Sequence, residues 1–141
     1  QKKIISAPVI CYESIYGEFS TEYIRLGADF LAVISNDAWW GNTQGHKQLL
    51  SYTRLRAIEN RRSIARSANT GISALINENG EYLKKLDYGL EGTIAGEIPI
   101  VKKITFYTKY GDYIGRISVL IFLLYFSVAV SGRFKKKIHN F

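Results

Sequence analysis

Apolar residues at strand-like and helix-like spacings alternate along the first part of the chain. The apolar run from Ala7 to Ile10, inside a strand-like segment from Ile4 to Cys11, predicts a short buried strand. A helix that ends at Gly27 is predicted next, from apolar residues at helical spacing: Tyr16, Phe19, Tyr23 and Ile24. The unbroken apolar run from Phe30 to Ile34 then predicts a strand that is buried on both faces.

The pattern changes from helix to strand in the middle of the chain. A polar and aromatic loop over residues 36–42 leads to a predicted helix from about His46 to Asn60, whose apolar side carries Leu49, Tyr52 and Leu55. The predicted strands that follow cover residues 63–67, 72–76, 81–86 and 92–98, with a turn at residues 77–80. Alternating strands and helices followed by a run of strands indicate an α/β fold with helices packed on a sheet.

The last apolar segment has the length of a membrane span. Residues 117–130 carry no charge, and the segment from Tyr113 to Ser131 would form roughly 28 Å of helix. This is close to the roughly 30 Å hydrocarbon core of a bilayer, although an amphipathic or buried core helix is the alternative. Basic residues follow at once: Arg133, Lys135, Lys136 and Lys137. Such a cluster can bind nucleic acid, but directly after an apolar segment it fits a cytoplasmic membrane flank better.

Composition excludes several classes of protein. With 141 residues and 47% hydrophobic residues, the chain suits one ordered domain rather than a disordered one. It begins with Gln1 and a strand-like segment, so we expect a piece of a longer protein. The two histidines, His46 and His139, lack metal-ligand spacing, and no glycine-rich phosphate loop is present. We therefore predict no metal and no other cofactor.

The only cysteine, Cys11, is the strongest candidate for chemistry. Free cysteines are often buried as small hydrophobes, so a structural role is the alternative. However, Cys11 ends a predicted strand, and side chains at strand ends reach the sheet edge where ligands bind. Glu13 follows two residues later, and a reactive thiol needs neighbouring groups that control its proton and charge. We predict Cys11 as a nucleophile and Glu13 as a supporting carboxylate, with a surface carboxylate or a helix-start charge as the alternative for Glu13.

The loop after the second strand carries the other candidate residues. Trp39 and Trp40 lie in a Gly- and Asn-containing loop, where they are predicted to bind substrate or enter the membrane interface, with core packing as the alternative. Of the two, Trp39 is the preferred candidate. Asn36 and Asp37 are predicted to fix this loop through side-chain hydrogen bonds. On the second helix, the three-residue spacing of Arg56 and Glu59 predicts a structural ion pair.

Several motifs together resemble a known family. Cys11-Tyr12-Glu13 and residues 34–41, 54–60 and 69–74 resemble, in order, motifs of the nitrilase superfamily of carbon–nitrogen hydrolases. With the terminal apolar segment, the chain resembles the C-terminal part of the bacterial apolipoprotein N-acyltransferases. The resemblance implies an α/β fold, a nitrilase-like αββα sandwich that is incomplete here and is followed by one transmembrane helix. The implied divisions are residues 1–108 for the catalytic domain portion, 109–133 for the helix and its flanks, and 134–141 for a basic cytoplasmic tail.

The resemblance also implies an activity. These enzymes use a Glu, Lys and Cys triad, of which only the cysteine, Cys11, is expected here, because the other two residues lie upstream in the family. The implied reaction moves a fatty acyl group from a phospholipid, through a Cys11 thioester, to the N-terminal diacylglyceryl-cysteine of an apolipoprotein. The implied protein is a monomer in the bacterial inner membrane that binds no nucleic acid and whose catalytic part is periplasmic. An amidase of the same superfamily and an inactive membrane-tethered remnant are the alternatives.

Overall fold

The structure, a computed structural model, describes residues 3–138. These residues fall into two compact units that divide between Gly111 and Asp112. The first unit contains β1 (Ser6–Ile10), a 3₁₀ helix (Cys11–Ile15), α1 (Gly17–Arg25), β2 (Phe30–Asn36), a 3₁₀ helix (Ala38–Trp40), α2 (Gln44–Asn60), β3 (Ile64–Asn69), β4 (Ser73–Ile76), β5 (Tyr82–Leu86) and α3 (Phe106–Tyr110).

One five-stranded mixed sheet organises this unit, with the strands in chain order from β1 to β5. β1, β2 and β3 run parallel, whereas β4 and β5 are added antiparallel. The helices α1 and α2 provide the crossovers that parallel neighbours require. The predicted turn before β5 is confirmed, since the Gly80 amide donates to the Asn77 carbonyl at 3.0 Å.

The hydrophobic core lies against one face of the sheet. It is formed by alternate residues of the strands and by apolar residues of α1 and α2, among them Val9, Leu31, Val33, Ile64, Ile76, Ile24 and Ala57. Burying each of the larger side chains contributes about 1.5–3 kcal/mol. The carboxyl ends of β1 to β3 are therefore held at one edge of a packed sheet.

The prediction that β2 is buried on both faces is wrong for the residues described. Ile34 is 54% exposed, and Ile10 on the neighbouring strand is 49% exposed. Both strands bury alternate residues only, which is the pattern of a sheet with one covered face. The unbroken apolar runs therefore give this sheet a second apolar face.

The predicted apolar side of α2 is also wrong. Leu49 is buried, but Tyr52 and Leu55 are each 41% exposed. The helix instead buries a mixed face made of His46, Leu49, Leu50, Thr53, Arg56, Ala57 and Asn60. Its polar members are accommodated because they form hydrogen bonds, so hydrophobicity alone does not mark this face.

Residues 92–98 do not form the predicted strand. This stretch has no regular secondary structure, and Gly92, Thr93 and Ile94 line a hollow on the second face of the sheet with Ala32 and Ala65. The backbone is held by side chains rather than by a neighbouring strand, as the Lys84 ammonium donates to the Ala95 carbonyl at 2.5 Å. Strand pairing requires an edge position, which a segment lying over the sheet face does not have.

The second unit contains α4 (Tyr113–Ile138), a single apolar helix. The stretch Tyr113–Ser131 has 19 residues and a mean hydropathy of 2.0, with 0% of it buried. By length and composition this stretch could cross a membrane. The end of the predicted basic tail, residues 139–141, lies outside the described residues.

Candidate active site

Cys11 is the first residue of the turn that follows β1. Its φ of 49° lies in the left-handed region, which residues with a side chain rarely adopt and which costs about 1–2 kcal/mol. The side chain is partly exposed rather than fully buried. Cys11 therefore leaves the carboxyl end of β1 with a backbone conformation unlike that of the strand, and its thiol is partly accessible.

Hydrogen bonds from within the turn hold this conformation. The Ser14 hydroxyl donates to the Cys11 carbonyl at 2.7 Å, and the Tyr16 amide donates to the Glu13 carbonyl at 3.1 Å. From the neighbouring helix α2, the Arg56 guanidinium donates to the Ile15 carbonyl at 3.2 Å. The backbone around the thiol is thus fixed from both inside and outside the turn.

Glu13 has a clear structural contact. The Ile10 amide donates to its Oε2 at 2.6 Å, so the carboxylate caps the end of β1 and the start of the 3₁₀ helix. This contact agrees with the helix-start role that the sequence offered as an alternative. The supporting role of Glu13 at the thiol stays a prediction.

A chain of polar side chains leads inward from the thiol. The Ser35 hydroxyl is within hydrogen-bond distance of two acceptors, 3.6 Å from Cys11 Sγ and 2.5 Å from Asp37 Oδ1. Asp37 Oδ2 pairs with Arg66 Nη2 at 2.7 Å, and both of these side chains are 0% exposed. The Arg66 guanidinium is completed by Thr53 Oγ1 at 3.1 Å and the Ile72 carbonyl at 3.2 Å.

Sequence reasoning did not find Ser35 or Arg66 as neighbours of the thiol. Asp37 was expected only to fix a loop, together with Asn36, and this expectation is confirmed for both. The Ala38 amide donates to Asn36 Oδ1 at 3.2 Å, and Asp37 is bonded as described above. The signal that could have identified Arg66 is a charged residue at an inward position of a strand, where burial requires a partner.

The two tryptophans have different surroundings. Trp39 is 87% exposed, so it does not pack in the core of this unit. Trp40 lies beside the residue that follows Cys11, with 6.3 Å between the ring centres of Trp40 and Tyr12. Both rings line a cavity of about 100 Å³ with Ile15 and Leu49. Of the predicted pair, Trp40 is therefore the one that contacts the segment carrying Cys11.

The turn after β3 lies at the same sheet edge. Asn69 ends β3 and pairs in register with Asn36 at the end of β2. Thr70 follows with a φ of 65°, and the Gly71 amide donates to the Asn69 carbonyl at 2.7 Å. The parallel order of the strands brings this polar turn, the loop after β2 and the Cys11 turn to one edge.

The predicted ion pair on α2 is confirmed, with 3.1 Å between Arg56 Nε and Glu59 Oε2. His46, on the same helix, is 1% exposed, and burial lowers the pKa of its imidazole below the usual 6.5. Its Nε2 is 3.3 Å from Asn42 Oδ1. Among residues 3–138, no group of three or more His, Cys, Asp and Glu side chains could hold a metal ion, and His139 lies outside that range.

Comparison with known proteins identifies the family. Residues 3–103 match the model of the carbon–nitrogen hydrolase family. The chain belongs to this family. The resemblance to carbon–nitrogen hydrolases is therefore confirmed, and the match spans the Cys11 turn and every strand of the sheet.

Two similar sequences are both apolipoprotein N-acyltransferases by name. Over 109 residues the chain is 39% identical to an apolipoprotein N-acyltransferase of Chlorobaculum tepidum, which covers 77% of this chain and 20% of that protein. Over 137 residues it is 34% identical to an apolipoprotein N-acyltransferase of Haemophilus influenzae, covering 97% of this chain and 26% of that protein. The chain thus spans about a fifth to a quarter of the length of these relatives.

A solved structure shows the same fold. The crystal structure of a carbon–nitrogen hydrolase from Helicobacter pylori G27 superposes with a TM-score of 0.53 at 17% identity. The match covers 61% of this chain and 37% of that one. It confirms the predicted α/β fold of the superfamily for the first unit.

Proposed function

We propose that this chain is the part of a membrane N-acyltransferase that carries the nucleophile, Cys11. The observation that carries the proposal is the extent of the similarity to apolipoprotein N-acyltransferases. The relative from Haemophilus influenzae matches 97% of the chain, a share that cannot be reached without the apolar stretch Tyr113–Ser131. A hydrolase acting on small soluble amides has no need of such a helix.

The proposed reaction has two acyl-transfer steps. In the first, the Cys11 thiolate attacks the ester carbonyl of a phospholipid, the new C–S bond replaces the C–O bond, and a lysophospholipid leaves with a proton. In the second, the amine of an N-terminal diacylglyceryl-cysteine attacks the thioester, a C–N bond forms as the C–S bond breaks, and a proton from the amine returns the leaving thiolate to a thiol. Both tetrahedral intermediates carry an oxyanion, for which backbone amides around Cys11 are donors.

The other predicted site residues have supporting roles in this proposal. Glu13 holds the turn through Ile10 and contributes a negative charge beside the nucleophile. Trp40 and the cavity next to Tyr12 supply an apolar wall for part of the substrate, and exposed Trp39 suits contact with lipid. The resemblance puts the remaining triad members, a Glu and a Lys, upstream in the longer protein. We therefore propose that the 141-residue chain alone does not complete the reaction.

The proposed location is the bacterial inner membrane. The apolar stretch Tyr113–Ser131 spans the bilayer, and the basic residues after it remain on the cytoplasmic side. A single crossing then places the first unit, with Cys11, on the periplasmic side, where lipoprotein N-termini are presented. We propose a monomer, with a phospholipid and an apolipoprotein as the substrates.

The test uses the full-length protein that contains this chain. After incubation with phospholipid, mass spectrometry of the peptide containing Cys11 is expected to show a fatty-acyl adduct, and Cys11→Ser is expected to show neither adduct nor activity. Adding a diacylglyceryl-cysteine peptide should transfer the acyl group to its amine. A Cys11 that stays unmodified contradicts the proposal, while an adduct that forms from a small amide and is released only by water supports the amidase alternative.

A further inference from the structure

The Ser35 hydroxyl contacts two acceptors although it has one hydrogen to donate. It lies 3.6 Å from Cys11 Sγ and 2.5 Å from Asp37 Oδ1. Ser35 is 4% exposed, so water does not substitute freely for either partner. The hydroxyl therefore divides its donor between a sulfur atom and a carboxylate.

The charge on each acceptor decides where that hydrogen goes. While Cys11 is a neutral thiol, the carboxylate is the stronger acceptor and holds the hydrogen, since charge-assisted bonds are about twice as strong as neutral ones. When the thiol loses its proton, the sulfur becomes a charged acceptor too. The hydroxyl can then turn toward sulfur by rotation about its C–O bond, with no movement of the backbone.

The Asp37–Arg66 pair lowers the free-energy cost of this rotation. Asp37 keeps its 2.7 Å contact with Arg66 whichever way the hydroxyl points, so the carboxylate is never left without a partner. Arg66 is itself held by Thr53 and by the Ile72 carbonyl, which fixes the guanidinium in place. The buried Asp37–Arg66 pair and its hydrogen bonds thus keep the Ser35 oxygen at one position beside the thiol.

We infer that Ser35 is a positioning residue for the Cys11 nucleophile, holding the sulfur in place and donating its hydroxyl hydrogen to the thiolate. This inference rests on the proposed role of Cys11. It assigns a task to the buried Asp37–Arg66 pair, which lies one residue further from the thiol and does not touch it. Charged residues of the turn and of the helices packed against it also include Glu13, Glu18, Arg56 and Glu59.

The test compares side chains of one shape at position 35 in the full-length protein. Threonine keeps the hydroxyl, and valine replaces it with a methyl group of similar size. The rate at which iodoacetamide modifies Cys11 at fixed neutral pH is followed by mass spectrometry of its peptide. Ser35→Val is expected to react about tenfold more slowly than Ser35→Thr, because the thiolate loses a donor. Ser35→Ala is expected to resemble Ser35→Val.

A second measurement separates positioning from general damage. Acylation of Cys11 by phospholipid should slow by a similar factor in Ser35→Val, while the KM for phospholipid changes less than about twofold. Ser63→Ala is the matched control, because Ser63 is buried like Ser35 and its hydroxyl also donates a hydrogen bond that the variant loses, here to the Pro99 carbonyl at 2.6 Å. Its alkylation rate should stay within about twofold of the unmodified protein.

The outcomes for the two proposals are distinct. Equal alkylation rates for the Thr and Val variants overturn the role of Ser35, whether or not the protein is an acyltransferase. If the Thr and Val variants differ in alkylation rate but Cys11 of the wild-type protein forms no acyl adduct, the positioning role of Ser35 is supported and the proposed reaction is rejected. Thermal melting identifies a variant that is unfolded, and the Ala variant then takes the place of Val.

Discussion

Two ion pairs of equal length show how strongly burial changes the value of a single contact. Asp37 and Arg66 are 2.7 Å apart with both side chains 0% exposed. Lys85 and Asp87 are also 2.7 Å apart, but their side chains are 43% and 64% exposed. Water screens the second pair, whereas removing one member of the first leaves a buried charge without compensation.

Asp37→Asn is therefore expected to destabilise the protein by about 3–5 kcal/mol, because Arg66 keeps its charge and loses its counterion. Asp87→Asn is the control and should change stability by less than about 1 kcal/mol. Equilibrium unfolding by denaturant in detergent measures both. Similar losses for the two variants would show that burial does not set the value of the Asp37–Arg66 pair.

At the scale of elements, the turn between β3 and β4 is built against the loop after β2. Gly71 is buried, and a Cβ added there would fall onto the Asp37 carboxylate. That carboxylate cannot move aside easily, because Arg66 holds the same oxygen, Oδ2, and the Ser35 hydroxyl donates to the other. The close approach of the turn to the loop thus depends on the absence of a side chain at position 71.

Gly71→Ala is expected to cost about 3 kcal/mol, as an overpacked methyl group displaces Asp37 from its partner. Gly92→Ala is the matched control, since its added Cβ would lie at an ordinary contact distance of 3.5 Å from Leu86. The thermal midpoints of the two variants give the comparison. A Gly71→Ala protein as stable as Gly92→Ala would mean that the turn can shift without penalty.

Elements were predictable from the sequence where periodicity alone decides them. The helix that ends near Gly27, the second strand and the turn at residues 77–80 follow from local spacing and turn chemistry. The buried face of α2 was not predictable, because Arg56 and Asn60 are buried through bonds to distant residues. The strand predicted over residues 92–98 was wrong for a related reason, because a strand-like composition does not show whether a neighbouring strand has a free edge for pairing.

The candidate site was predictable only in part. Cys11 stood out as the only cysteine at the end of an apolar run. Its contact with Ser35 depends on the parallel pairing of β1 with β2, and the Asp37–Arg66 pair depends on that of β2 with β3. Contacts set by sheet register join residues far apart in the chain, and no local pattern announces them.

At the scale of the whole molecule, the two units differ in where their apolar side chains lie. The first buries an apolar core under α1 and α2, whereas the second exposes the side chains of an apolar helix. Exposed apolar area of this extent is stable only against lipid or another protein. The chain therefore combines a folded unit that has its own core with one helix that is long and apolar enough to cross a membrane.

A soluble reporter carrying residues 112–141 at its C-terminus is expected to become membrane-bound and to resist carbonate extraction. The control carries Leu120→Asp and Leu124→Asp, each of which costs about 2.5–3.5 kcal/mol at the centre of a span. Immunoblotting of pellet and supernatant separates the two forms. Release of the unmodified reporter, or retention of both, would contradict a span at Tyr113–Ser131.

The left-handed backbone conformation at Cys11 lowers the stability of the fold at the position that carries the thiol. At a φ of 49° glycine is the residue without penalty, so folding by itself favours glycine at this position over a thiol. Selection for heat resistance alone is then expected to replace the residue that we propose as the nucleophile, whereas selection for the proposed activity retains it. Thermostable variants of this protein should therefore be sought at positions outside the Cys11 turn.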